Sequence, residues 1–354
     1  MSRFFSEKFS RLTPYTPGEQ PKERTYIKLN TNESPFPPSP NAQKYAAEAI
    51  AKTMLYSDPQ CTKLRQALAN QYGTTEDCVI CGNGSDDILN FAFSAFCDGK
   101  TPAVFADVTY GFYPVFSEYN RVPYRIIPLK EDFSISPQEY YNAGGTVFIA
   151  NPNAPTGIAL TRDEIEEIIK NNENNVIVID EAYVDFGAES CVPLIKKYKN
   201  LLVTQTFSKS RSLAGARLGF GIADPSLIND LNTVRYSINP YNVNSITQAA
   251  GVGSLEDQKY TDENCEKIKK TRQKTAKRLK KLGFYVTDSC ANFIFAKHET
   301  IPGGQIYLKL RQHGVLVRHF DAPRIADFNR ITVGDEEQME ALIKALAQIT
   351  GRQI

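Results

Sequence analysis

The chain has 354 residues, with 41 Lys and Arg against 40 Asp and Glu, a formal net charge of +1, and 42% hydrophobic residues. This neutrality, with no basic stripe, excludes a protein that binds nucleic acid by neutralising many phosphates. No apolar run approaches the ~20 residues of a membrane-spanning helix, and the length suits two domains, or one large domain with a smaller companion, so a disulfide miniprotein is excluded too.

The N-terminus places Phe4, Phe5, Phe9 and Leu12 among Arg3, Lys8 and Arg11. Glu7 counts against a transit peptide, so the segment is expected to form a short helix packed on the body. Ser34-Pro-Phe-Pro-Pro-Ser-Pro40 is an irregular connection into the first main helix. Helices are predicted near 41–55 and 62–72, a strand near 78–81, a helix from about 85, and strands near 103–107 and 124–129. Cys78-Val-Ile-Cys81 has β-forming middle residues and no second pair or nearby His at zinc spacing, so it reads as strand, not a metal or redox site. The seven cysteines are odd in number and irregularly spaced, as in a reduced, cytoplasmic chain.

The runs near 146–150, 176–180 and 201–206 are apolar without alternation, as in strands buried on both faces of a sheet. Helical segments separate most of them, the pattern of βαβ units and a mainly parallel sheet. A long helix is predicted from about 258 to 282, with Lys267 to Lys281 as its solvated face. Strand, strand, helix, strand, strand, helix follow, which suits a smaller α+β domain. The expected organisation is an N-terminal arm over 1–32, a large α/β domain over 33–250 and a small C-terminal α+β domain over 251–354.

In an open α/β sheet, ligands bind beyond the carboxyl ends of the strands. Five polar segments lie just past apolar runs: Gly82-Asn-Gly-Ser-Asp86, Asn151-Pro-Asn-Ala-Pro-Thr-Gly157, Asp180-Glu-Ala-Tyr183, Thr204-Gln-Thr-Phe-Ser-Lys209 and Arg217-Leu-Gly219. Gly82, Gly84 and Ser85 at a strand-to-helix turn leave backbone N–H groups free for an anion. No Gly-Lys-Ser/Thr follows, so this is not a P-loop. Asp180 ends an apolar strand, where a carboxylate is costly unless it meets a cation or donor. Singly, these residues suit a turn, a helix cap and a surface lysine. Together they supply what pyridoxal phosphate requires: a lysine for a Schiff base, a carboxylate for a pyridinium nitrogen, an Asn and a Tyr for a phenolic oxygen, and a phosphate nest.

On these segments the chain resembles the fold-type-I pyridoxal-phosphate-dependent aminotransferases, and within them the histidinol-phosphate aminotransferase subfamily. The resemblance extends through Leu12-Thr-Pro-Tyr-Thr-Pro-Gly18, Leu29-Asn-Thr-Asn-Glu-Ser-Pro35, Tyr56-Ser-Asp-Pro59, Leu213-Ala-Gly-Ala-Arg217, Arg318-His-Phe-Asp321 and Arg330-Ile-Thr-Val-Gly334. It covers nearly the whole chain. It implies that Lys209 carries the cofactor as a Schiff base and then serves as base and acid at the substrate. Asp180 would keep the pyridine nitrogen protonated, Asn153 and Tyr183 would bond the ring 3-oxygen, and Tyr110 would stack on the ring. The phosphate would lie among Gly84, Ser85, the Asp86 backbone N–H, Thr206, Ser208 and Arg217. Tyr56 would reach the phosphate of the neighbouring subunit's cofactor, which implies a homodimer with shared sites.

The substrates implied are L-histidinol phosphate and 2-oxoglutarate, exchanged for imidazole acetol phosphate and L-glutamate in histidine biosynthesis. Arg330 and Arg318 would bind their carboxylate or phosphate, Asn32 would join the substrate site, and Tyr15 and Tyr241 would close over the bound group. Ala154 stands where family members often have Asn, which on this reading leaves the Asn153 contact intact. The three histidines, His319 included, read as structural or exposed. Two alternatives on the same fold stay open, an L-threonine-O-3-phosphate decarboxylase and an aromatic amino acid aminotransferase. A non-catalytic module of this fold would require a broken site, whereas Lys209, Asp180, Asn153, Tyr183 and Arg217 are all present.

Overall fold

The buried apolar runs of the middle of the chain assemble into one seven-stranded sheet in a computed structural model that describes residues 2–10 and 12–352. In chain order the first eight strands are β1 (Ile27–Lys28), β2 (Val79–Asn83), β3 (Ala103–Ala106), β4 (Tyr124–Ile127), β5 (Thr146–Ala150), β6 (Ile177–Asp180), β7 (Leu201–Thr206) and β8 (Leu218–Ala223). The sheet order is β2-β8-β7-β6-β5-β3-β4. Strands β3 to β7 run parallel, and β8 is antiparallel to both β2 and β7.

Every residue of β5, β6, β7 and β8 is buried, and the period of two sends alternate side chains to opposite faces. Val147 and Ile149 of β5 join Ile165, Ile168 and Leu68 on one face, whereas Phe148 and Ala150 join Phe93, Phe116 and Leu231 on the other. Ile165 and Ile168 come from the helix Arg162–Lys170, whose start is fixed by a reciprocal Thr161–Glu164 capping box.

The rest of the chain builds a second core around β9 (Phe284–Val286), β10 (Phe293–His298), β11 (Val315–Leu316), β12 (Arg318–His319) and β13 (Phe328–Thr332). Four of these form the antiparallel sheet β12-β13-β10-β9. Three helices, Gln258–Lys281, Gly303–Gln312 and Glu336–Thr350, pack against it. The long helix buries Cys265, Ile268 and Leu279 and exposes Lys267, Lys270, Lys274, Lys277 and Lys280, a solvated basic face, whereas Arg272 of the same stretch is buried and donates to the carbonyls of Phe186 and Ala291. Strand β1 pairs in parallel with β11, and Leu29 enters this second core. The end of the N-terminal segment is thereby tied to the C-terminal sheet.

Two sequence expectations differ from the observed elements. The first main helix ends at Ile50, not near 55, because Met54 and Leu55 face solvent and have no core to extend the apolar stripe onto. The N-terminal helix shrinks to a single 3-10 turn, Glu7–Phe9, capped by Ser6. Phe9 stacks on Tyr119 at 5.5 Å while Phe4 stays exposed. Arg11, part of that expectation, lies outside the described residues. No described helix is long and apolar enough to cross a membrane.

Candidate active site

A cavity of about 270 Å³ opens where the carboxyl ends of β5, β6 and β7 meet the N-terminal segment and the edge of the C-terminal sheet. Ser85, Asp86, Thr206, Ser208 and Arg217 line one end. Ser85 and Asp86 begin the helix Ser85–Phe96, whose first N–H groups have no intrahelical partner. Gly84 precedes it at φ +82°, and a Cβ there would sit 2.6 Å from Arg217 Nη2. Gly219 of β8 passes so close that its Cβ would lie 2.1 Å from the Ser85 nitrogen. These two glycines leave open a cradle that side chains would fill.

The Asp86 carboxylate ties two neighbours of this cradle together. It accepts from Tyr110 Oη at 2.7 Å and pairs with Arg217 Nη2 at 3.2 Å. Arg217 Nη1 also donates to Ser208 Oγ at 3.4 Å.

Lys209 and Asp180 line the middle of the cavity. Lys209 Nζ donates to the Thr31 carbonyl at 3.1 Å and lies 5.7 Å from the centre of the Tyr183 ring. Asp180 is 5% exposed and has only long bonds, from Tyr113 Oη at 3.2 Å and the Ala182 N–H at 3.3 Å. Loss of water, reinforced by the nearby Asp86 charge, raises its carboxyl to about 7. Such a carboxylate is poised for a cationic partner. Tyr183 Oη accepts from Asn32 Nδ2 at 2.9 Å, and its ring meets Phe293 edge to face at 5.1 Å.

Arg330 and Arg318 line the opposite wall with Tyr15 and Asn32. The Arg330 guanidinium lies between the rings of Phe293 and Phe320, 5.5 and 5.7 Å from their centres. Its Nη2 donates to the Asn30 carbonyl at 3.2 Å, its buried Nε has no partner, and burial pulls its pKa below the ordinary value. Arg318 donates to the carbonyls of Thr16 and Pro17 at 3.0 and 3.1 Å, clasping the N-terminal segment over the cavity. Tyr15 stacks on Phe112 at 4.2 Å in that same cover. A second cavity of about 480 Å³ adjoins the first along Tyr15, Tyr110, Ala154, Arg318 and Arg330.

Two residues expected in this site, Asn153 and Tyr241, stand elsewhere, and Tyr56, expected at a neighbouring subunit's site, lies off the cavity too. Asn153 does not line the cavity: its Nδ2 donates to the Val108 carbonyl at 2.9 Å and to Thr156 Oγ1 at 3.0 Å, and its Oδ1 accepts from Thr109 at 2.8 Å. The neighbouring Ala154 forms the wall instead, because one step along a turn rotates the next side chain to a different side. Tyr56 and Tyr241 lie on the outer surface, stacked on each other at 4.6 Å, and neither lines this chain's cavity. Of the histidines, His298 is buried, bonded to the Leu282 carbonyl at 3.1 Å, and His319 stacks on Tyr307.

Sequence reasoning missed Thr31, Phe112, Tyr113 and Thr332. Thr332 follows Arg330 by two residues on β13, so the period-two rule already places it on the same face. Tyr113 sits one helical turn after Tyr110. Nothing in the sequence marks Thr31, which contributes a backbone carbonyl.

The donor set suits pyridoxal phosphate: hydroxyls, a helix N-terminus and Arg217 for a phosphate, a buried carboxylate for a ring nitrogen, and a lysine amine between them. A family model of class I and II aminotransferases matches residues 24–346. The chain is 46% identical to the histidinol-phosphate aminotransferase of Brachyspira hyodysenteriae, over 99% of both chains. It is 49% identical to that of Acinetobacter baumannii, over 98% of this chain and 97% of the other. A crystal structure of the Sinorhizobium meliloti histidinol-phosphate aminotransferase in complex with pyridoxal 5'-phosphate superposes with a TM-score of 0.90 at 24% identity, covering 99% of this chain and 98% of that one. The chain belongs to the class I and II aminotransferases, among the histidinol-phosphate aminotransferases.

Proposed function

We propose that the protein transfers the amino group of L-histidinol phosphate to 2-oxoglutarate, releasing imidazole acetol phosphate and L-glutamate, with pyridoxal phosphate as cofactor in the cavity around Lys209. The observation that carries this reading is the convergence of the Lys209 amine, the buried Asp180 carboxylate and the guanidinium groups of Arg318 and Arg330 on one cavity. When bound, pyridoxal phosphate supplies an electrophilic carbonyl carbon and a ring that accepts an electron pair.

Each residue has a task that follows from its surroundings. Ser85, Thr206, Ser208 and Arg217 would hold the phosphate, with Arg217 exchanging its Asp86 partner for it. Asp180 would hold the ring nitrogen in its protonated form, a cation beside it lowering the pKa that burial has raised. Tyr110 covers one face of the ring. Lys209 Nζ would anchor the cofactor, and its free amine would be placed to take a proton from the donor's Cα and return it. Arg330 binds the donor's phosphate and the acceptor's carboxylate through the same planar fork. Arg318 joins it when a substrate anion replaces the Thr16 and Pro17 carbonyls.

The protein acts as a cytoplasmic homodimer on this reading, with no nucleic-acid or membrane partner. Met54, Leu55 and Tyr56 are exposed beside Tyr241, an apolar surface that suits a second copy of the chain. Tyr56 then serves the cofactor phosphate of the partner, and Tyr241 closes its substrate space.

Half-reaction spectra test the assignment. L-histidinol phosphate should abolish the absorption of the bound cofactor, 2-oxoglutarate should restore it, and Lys209→Ala should show neither change. Silence toward this donor, with carbon dioxide released from O-phosphothreonine, would make the protein a decarboxylase. A response to phenylalanine alone would make it an aromatic aminotransferase.

A further inference from the structure

The segment Leu29-Asn-Thr-Asn-Glu33 crosses the cavity floor. Asn32 is 1% exposed and adopts φ +57°, a left-handed conformation uncommon for a residue with a side chain. Its N–H donates to Thr332 Oγ1 at 2.9 Å, Thr332 Oγ1 donates to Asn32 Oδ1 at 3.1 Å, and Asn32 Nδ2 donates to Tyr183 Oη at 2.9 Å. The opposite amide orientation would leave the Thr332 hydroxyl hydrogen without an acceptor at a site 2% exposed. The strained backbone therefore serves to hold one amide in one orientation.

A tyrosine hydroxyl that accepts from Asn32 must send its own proton elsewhere. Among the described residues that proton meets no acceptor, and Tyr183 lines the cavity. The opposing wall offers no second donor of this kind, since Ala154 is apolar and both amide hydrogens of Asn153 are committed. We propose that Thr332 and Asn32 form a hydrogen-bonded chain that aims the Tyr183 hydroxyl proton at the ring 3-oxygen of pyridoxal phosphate. Asn32 is then a positioning residue and not a substrate ligand. The inference rests on the cofactor assignment proposed above and deepens it. Aligned donors polarise one another, so the last bond, made to an oxyanion, gains most.

A donor at that oxygen stabilises the more negative protonation state of the bound cofactor and lowers the pH at which its absorption changes. The charged groups that share the cavity with Tyr183 are Lys209 over its ring, Asp86, Asp180, Arg217, Arg318 and Arg330, and the floor segment adds Glu33, paired with Lys28. Asn32→Gly leaves all of them in place and tolerates the positive φ, which guards against a folding failure. Asn32→Asp goes further, because its carboxylate accepts the Tyr183 proton and turns it away from the ring.

The experiment measures pyridoxal phosphate affinity and the pH midpoint of the bound absorption for the parent protein, both variants and Tyr183→Phe. Affinity should fall about threefold in Asn32→Gly and about tenfold in Asn32→Asp, on the scale of one ordinary net hydrogen bond, with the midpoint raised in both. Neither loss should appear with the cofactor analogue that lacks the 3-hydroxyl, and neither variant should add to Tyr183→Phe. Equal losses with that analogue, or full losses on the Tyr183→Phe background, would overturn the chain. A parent protein that fails to bind pyridoxal phosphate, or to answer L-histidinol phosphate, would instead overturn the assignment on which it rests.

Discussion

Asp180 is held against its own ionisation. Its carboxyl titrates near 3.8 when solvated and at about 7 in the fold, because burial and the Asp86 charge outweigh the long bonds from Tyr113 and Ala182. The folded chain therefore binds an extra proton between those values. The stability linked to the neutral form is fully present below pH 4 and is lost as pH rises through about 7. With the cofactor removed, Asp180→Asn should raise the thermal midpoint relative to the parent at pH 8 and leave it unchanged at pH 4. The same substitution should weaken cofactor binding by about two orders of magnitude, since a buried ring cation loses its counter-charge. Arg330 presents the complementary case. Arg330→Lys keeps the charge but loses the fork and the stacking between Phe293 and Phe320. KM for both substrates should rise about a hundredfold while cofactor affinity stays at the parent value. Asp180 stood out in the sequence as a carboxylate ending an apolar strand, whereas Lys209 and Arg330 were singled out by the company of the other segments and by the family resemblance. Asn153, assigned by resemblance, turns away from the cavity in favour of Ala154, since a motif does not say which of two successive turn residues faces inward.

The turn from β2 into the helix Ser85–Phe96 shows how an element, not a side chain, sets a binding geometry. Gly84 and Gly219 both fail to accept a Cβ, but they meet different atoms. At Gly84 the new methyl meets the far end of Arg217, which can swing away, but φ +82° with ψ 165° is a conformation almost confined to glycine and costs about 1–3 kcal/mol. Gly84→Ala should therefore fold with a lowered thermal midpoint and lose cofactor affinity measured by equilibrium titration. At Gly219 the methyl would penetrate the backbone of Gly84 and Ser85, which cannot yield without separating β8 from the helix. Gly219→Ala should cost about 3 kcal/mol or more in denaturant unfolding. The glycine-rich turn was visible in the sequence. Gly219 was singled out beside Arg217, but its approach to that turn was not visible, since Ser85 lies more than a hundred residues earlier in the chain.

At the scale of the whole molecule, the exposed surface around Met54, Leu55 and Tyr56 is the feature a single chain leaves unexplained. If a second copy covers it, sedimentation should give the mass of two chains. Leu55→Asp should then shift the protein toward monomer and weaken cofactor binding, although Leu55 lies outside the cavity. Mixing Lys209→Ala with Tyr56→Ala should restore activity, because a mixed dimer rebuilds one complete site from the intact lysine of one chain and the intact tyrosine of the other. Activity no greater than the sum of the separate variants would assign Tyr56 to its own chain's surface.

The sequence by itself determined the layered α/β architecture, because unbroken apolar runs can be buried only as strands covered on both faces. It also determined where the chemistry gathers, since polar residues beyond such runs collect at one edge of the sheet. Tertiary structure alone decided which of those residues face the cavity and which are spent elsewhere. Asn153 is consumed by the Val108 carbonyl and Thr156, Arg318 clasps the N-terminal segment, and Asn32 is locked between Thr332 and Tyr183. The reason is physical: strand burial is written in local composition, whereas a hydrogen bond between residues 32 and 332 depends on where two distant backbones stop to within a few tenths of an ångström.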